Sequence, residues 1–128
     1  MRKIDVDEGM RTVGRFAAGE ALSSGQLRTA ARFCLEEIAE RYPGRSVEIR
    51  VPYIGAVQVL EGVRHRRGTP PNVVELDGQT WLDLCVGNAA WEQAVATGRV
   101  SASGTRADLT EFMPLFSSAV LRRWTVKG

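Results

Sequence analysis

The sequence predicts a single α/β (α+β) domain with a mainly antiparallel sheet of about five strands and helices packed on one face. Three observations predict it. An apolar stripe from Leu27 to Tyr42 recurs at helical spacing. At Val47 the period changes from near 3.6 to 2. Residues 81–116 then read as two short helices, a strand and a third helix, each join marked by a glycine. At 128 residues the chain is the size of one domain. Its 44% apolar and 25% charged residues suit a folded core rather than global disorder.

The first helix is expected to start at Asp5 or Asp7, with Val6, Met10, Val13 and Ala17 on one side. Gly9 and Gly14 lie inside it, and each costs about 1 kcal/mol against Ala in a helix interior. Such a helix needs tertiary packing to persist. Residues 19–25 read as a loop. In the second helix Leu27, Ala30, Ala31, Cys34, Leu35, Ile38, Ala39 and Tyr42 form one stripe, which Phe33 widens. Charged residues take the other side, with Arg32–Glu36 and Glu37–Arg41 at i,i+4 spacing. Pro43-Gly44 stops the helix.

Val47, Ile49 and Val51 then alternate with Glu48 and Arg50, as in a strand buried on one face. Pro52 to Gly55 turns the chain into a second strand at residues 56–60, so these two form an antiparallel hairpin. Residues 61–71 read as a loop with room for a short third strand. Asn72 to Leu76 is a further strand, and Asp77-Gly78 turns into an apolar helix from Trp81 to Val86, ended by Gly87. Asn88 is placed to cap the next helix, which Gly98 ends. Residues 99–103 alternate as a half-covered strand, and Gly104 turns the chain. Thr105 to Asp108 resembles a capping box opening an apolar helix that carries Leu109, Phe112 and Met113 and is ended or kinked by Pro114. Residues 117–128 fit either a closing helix or an extended tail.

This order of features resembles the C-terminal half of the sterol carrier protein type 2 (SCP2-like) family. The positions that carry the resemblance are Trp81-Leu82-Asp83-Leu84, Gly87, Ala94 to Gly98, Val100 to Gly104 and Leu109 to Phe116. Residues 45–75 are similar to the family's strands, most closely to an actinobacterial branch of sterol carrier family proteins. There a segment like Arg67 to Glu75 precedes the same helices. The resemblance covers about residues 26–116 of the single domain at 1–128, leaving residues 1–25 as an N-terminal helix and loop and 117–128 as a C-terminal segment. It implies a bacterial lipid-carrier fold with an internal apolar cavity, and leaves the ligand open.

The residues themselves argue little chemistry. His65 is the sole histidine, and no nucleophile motif accompanies it. One His and two Cys match no zinc spacing, so no metal is expected, and the resemblance does not extend to the metal-binding domain found beside such modules in mycothiol-dependent enzymes. Cys34 and Cys85 fall on apolar helix faces as small hydrophobes. Seventeen basic against fifteen acidic residues give +2, too weak an imbalance to expect nucleic acid. Arg64, Arg66 and Arg67 form a cluster able to meet an anionic headgroup or membrane surface. The N-terminal residues show no apolar h-region and no stretch is long enough to span a bilayer, which points to the cytoplasm.

The reading that follows is a non-enzymatic carrier without a cofactor. It would hold a fatty acyl chain, fatty acyl-CoA or sterol-like ligand in an apolar cavity. Phe112, Met113 and Phe116 are the first candidates for its lining, and Phe33, Leu82 and Leu109 the second. Exchange would follow opening of the segment after Pro114. The alternatives are a protein-interaction or dimerisation module without a ligand, and an enzyme using His65. Oligomeric state stays open.

Overall fold

A computed structural model describes residues 3–62 and 72–125. In chain order it comprises α1 (Val6–Ala17), α2 (Ser24–Arg41), β1 (Val47–Val51), β2 (Gly55–Val59), β3 (Asn72–Leu76), α3 (Gly78–Val86), α4 (Trp91–Ala96), β4 (Val100–Ser103), a 3-10 turn at Thr110–Phe112 and α5 (Ser118–Thr125). The expected mixed α+β architecture is present. Side-chain caps start the first three helices: Asp5 accepts from the Glu8 amide, Ser23 and Gln26 form a reciprocal capping box, and Asp77 accepts from the Thr80 amide. Gly87 ends α3 at φ 86°, the left-handed C′ conformation.

The sheet is smaller and more mixed than the alternation suggests. Among the described residues it has four strands in the order β2-β1-β3-β4. β1 pairs antiparallel with β2 and β3 with β4, whereas β1 and β3 run parallel. The register explains the parallel pair. Val59 at the end of β2 and Asn72 at the start of β3 flank Val47 on opposite sides. The chain between them therefore re-enters beside β1 at the end of the sheet where β2 finished, and β3 follows the direction of β1. The additional short strand expected in 61–71 falls almost wholly outside the described residues.

One face of the sheet carries the core. Val47, Ile49, Val51, Val59, Val74, Leu76 and Val100 are at most 4% exposed. Above them the α2 stripe is filled in by Phe33, and α3 contributes Trp81, Leu82, Leu84 and Cys85. The Trp81 indole N–H donates to the Ala31 carbonyl at 3.0 Å, satisfying a fully buried donor and joining α3 to α2. The opposite face bears Glu48 and Arg50, ion-paired at 2.7 Å, with Glu75, Ser101 and Ser103 exposed.

Three local expectations give way to tertiary competition. The first is the helix expected from Thr105, which is only the 3-10 turn. The Arg106 amide is taken by the Asn72 side chain at 2.9 Å, and Asp108 accepts from the Thr110 amide two residues on. In an α-helix begun near Thr105 the Arg106 amide would have no intrahelical acceptor, so the competing bond is the one at Thr110, whose amide would otherwise donate to the Arg106 carbonyl. In the second, Asn88 does not cap α4; Ala90 is the N-cap and offers no side-chain acceptor, while the Asn88 amide donates back to Asp83 O. In the third, Glu36 does not pair with Arg32. Glu36 is buried and accepts from the Lys3 and Ile4 amides at 3.1 Å each, and Arg32 donates to Ile54 O at 3.1 Å. Glu37 and Arg41 pair as spaced, at 2.7 Å.

Gly9, a weakness when α1 is considered alone, has a tertiary reason. A Cβ there would overlap the Phe33 ring at Cγ, Cδ1 and Cε1. Phe33 is 1% exposed and cannot swing away. Gly25, in the first turn of α2, meets only Ser23 Oγ at 3.9 Å. Gly25→Ala is expected to stabilise the protein by about 0.4–1 kcal/mol. Gly9→Ala should destabilise it by about 1–3 kcal/mol through overpacking. Urea unfolding of both variants checks this, and two shifts of the same sign would refute the packing explanation.

Candidate functional site

Residues 104–117 cross from β4 to α5 with no regular structure beyond the 3-10 turn, and they carry most of the candidate lining residues. Hydrogen bonds tie this strap down at both ends. At one end Arg106 N donates to Asn72 Oδ1, while Asn72 Nδ2 donates to Ser46 O at 2.9 Å; Asn72 is 2% exposed. At the other, Leu115 N and Phe116 N donate to Cys85 O at 2.9 and 3.1 Å, near the C-terminal end of α3. Arg41 completes the far end: its Nη1 donates to Leu115 O at 2.6 Å, and its guanidinium lies 5.1 Å from the Phe116 ring centroid.

The structure divides the six apolar candidates into two groups. Phe33, Leu82, Leu109 and Phe116 are at most 4% exposed and belong to the core. Phe33 and Phe116 stack with centroids 6.4 Å apart and planes 9° from parallel. Phe112 and Met113 are half-buried against that core. Phe112 meets Tyr42 edge-on at 4.8 Å. Arg64, Arg66 and Arg67, and also His65, lie outside the described residues.

Phe112 and Met113 open onto different clefts, one on each side of the 3-10 turn. Met113 lines a cleft of about 400 Å³ with Gly87, Ala89, Trp91, Thr110 and Pro114. Phe112 lines one of about 310 Å³ with Leu60, Arg106, Asp108, Thr110 and Glu111. Thr110 borders both. The sequence reasoning missed Trp91, Ala89 and Pro114 as a wall. A tryptophan directly after Gly87-Asn88-Ala89-Ala90 is a visible feature, but its proximity to Met113 depends on the path of the strap.

The thiols of Cys34 and Cys85 are free and fully buried. Burial pushes the Cys85 thiol well up from its ordinary range, and its hydrogen-bonded neighbour Cys34 pushes it the same way. The Cys85 sulfur therefore acts as a packing group rather than a nucleophile, and the Cys34 sulfur is buried beside it. Among the described residues no cluster of His, Cys, Asp or Glu has metal-site geometry. What the site offers is apolar surface, two mixed clefts and a strap held by a small set of hydrogen bonds.

An α+β domain with four strands among the described residues, and helices and a strap over one face of the sheet, is consistent with the sterol-carrier-like class that the sequence resembles. The family model described as bacterial SCP ortholog matches residues 23–115, and the chain belongs to that family. No curated protein matches the chain. No helix among the described residues is long and apolar enough to cross a membrane.

The 3-10 turn itself has an acid-sensitive element. Asp108 Oδ1 accepts from Thr110 Oγ1 at 2.6 Å and from Thr110 N at 2.9 Å, and these bonds hold its carboxyl below the usual carboxylate range. Its contribution is therefore complete above the unfolded value of about 4 and is lost as pH falls through the lower folded value. The Thr110 amide resonance is expected to titrate below pH 4 in the natural protein, and this inflection should vanish in Asp108→Asn. A Thr110 inflection at or above the free-Asp value would contradict the assignment.

Proposed function

We propose that this protein is a non-catalytic carrier that takes up a lipid-like ligand, a fatty acyl chain, acyl-CoA or sterol-like molecule, between the strap and the α2–α3 wall. The observation that carries this reading is the strap. Leu109, Phe112, Met113 and Phe116 present apolar side chains along a segment with little regular structure. Membership in the bacterial SCP ortholog family supports the same class of function. Apolar burial alone supplies enough affinity, since each methylene removed from water contributes about 0.8 kcal/mol.

Uptake then requires the wall to move, because Phe33, Leu82, Leu109 and Phe116 fill the space in the closed form. The cleft between Met113 and Trp91 serves as the mouth. The bonds from Leu115 and Phe116 to Cys85 O, and from Arg41 to Leu115 O, all lie after Pro114 and form the latch. The interior lining assigned to Phe33, Leu82, Leu109, Phe112, Met113 and Phe116 is part of this proposal. So are the headgroup contacts of Arg64, Arg66 and Arg67, and a location in the cytoplasm.

Titration of delipidated protein with a fluorescent fatty acyl probe, followed by competition with acyl chains, acyl-CoA and sterols, tests the reading. Saturable binding near one per chain is expected, with displacement by one lipid class and weakening of about tenfold or more in Phe112→Asp. Absence of saturable binding by the folded protein would overturn it in favour of a protein-interaction module. For the latch, Arg41→Ala should speed probe release about three- to tenfold in stopped-flow displacement, the scale of one partly exposed charge-assisted hydrogen bond. An unchanged release rate would exclude Arg41 from that role.

A further inference from the structure

The tip of the β1–β2 hairpin carries a residue that the fold does not account for. Ile54 N donates to Val51 O at 2.9 Å, closing a four-residue turn with Pro52 second and Tyr53 third. Tyr53 has φ 69°. Proline followed by positive φ is the type II pattern, whose third position favours Gly or Asn. A tyrosine in the left-handed region is strained, and here packing offers no return: Tyr53 is 100% exposed and, among the described residues, its ring and hydroxyl touch no partner. An unfavourable backbone conformation holding a large amphipathic side chain in solvent points to a role outside the chain.

The surroundings indicate what that role is. Arg32 Nη1 donates to Ile54 O, which places the tip beside α2. Arg28 lies one helical turn before Arg32 on the same side of α2, is exposed, and makes no ion pair among the described residues. Leu27 also reaches this end, since a Cβ on Gly78 would lie 2.9 Å from Ile54 Cδ1 and 3.1 Å from Leu27 Cδ2. The nearby acid Asp77 accepts from the Thr80 amide as the cap of α3. Two arginines on α2 thus lie on the helix beside a protruding aromatic whose apolar body and polar tip suit a water–lipid boundary.

We propose that this hairpin tip docks on an anionic lipid surface, with the Tyr53 ring entering the headgroup layer and Arg28 and Arg32 meeting phosphate. The shape favours a membrane over a folded protein partner. A specific protein interface covers about 800 Å² on each side, whereas a single projecting ring fits a soft planar layer. The proposal deepens the lipid-carrier reading and rests on it only for its purpose, as the site where the carrier would meet the bilayer that supplies or receives its ligand.

The test is co-sedimentation of the full chain with phosphatidylcholine vesicles, with and without added phosphatidylglycerol to make the surface negative, at low and high salt. The natural protein is expected to partition onto the anionic vesicles and to be released by salt. Tyr53→Gly should weaken partitioning by about fivefold or more while raising the melting temperature, because glycine relieves the positive φ. Tyr53→Trp should retain binding. Arg28→Glu should lose about fivefold or more and flatten the salt dependence. Partitioning that ignores phosphatidylglycerol, or that survives Tyr53→Gly in full, would overturn the proposal. Acyl-probe titration of the same variants in solution separates the two readings. Vesicle docking lost with probe binding intact in Tyr53→Gly supports the docking site, whereas loss of both would assign Tyr53 to the fold or the ligand site and overturn it.

Discussion

Phe33 is the side chain on which three parts of the molecule converge. It projects from α2 into the space left by the missing Cβ of Gly9 on α1, and it also stacks on Phe116 of the strap. Arg41, two turns further along α2, lies over the Phe116 ring and holds the Leu115 carbonyl. The N-terminal helix, the central helix and the end of the strap therefore share one aromatic stack. Changes in any of the three are transmitted through it, because a close-packed interior responds to shifts of a fraction of an ångström.

Below that stack, the sheet and α3 form the more rigid half. β1 and β3 are flanked by strands on both sides and are buried at alternate positions, and Trp81 joins α3 to α2 through a buried hydrogen bond. The strap has no comparable ladder. It is attached through Asn72 at one end and through Cys85 O and Arg41 at the other, with the 3-10 turn between two clefts. Local opening free energies follow this difference, since segments with few backbone hydrogen bonds open first. The proposed uptake of a ligand would use that combination of a firm wall and a weakly attached cover.

Much of the framework was legible locally. The α2 stripe, the β1–β2 hairpin, the strand at residues 72–76 and the Gly87 and Gly98 stops depend on periodicity and backbone preference within a few residues. The candidate site was legible only as a set of apolar residues. Nothing in the spacing of Leu109, Phe112, Met113 and Phe116 separates the two that are wholly buried from the two that border clefts. Trp91 entered the site only because the strap passes in front of α4. Tyr53 shows the same limit from the other side: Pro52-Tyr53-Ile54-Gly55 reads as an ordinary turn until its φ and its full exposure are known.

The sequence by itself determined which segments are helices and strands wherever local hydrogen bonds and apolar period agree, along with the family to which the chain belongs. Tertiary structure decided the parallel pairing of β1 with β3, because pairing depends on where the chain re-enters the sheet. It also replaced the helix expected from Thr105 with a strap. The Thr110 amide, which an α-helix begun near Thr105 would use, found an acceptor on the Asp108 side chain, while Asn72, distant in sequence, fixes the chain at Arg106. An amide bonded by a side chain no longer serves the local backbone turn. Competition of this kind is settled by contacts that exist only once the chain has folded.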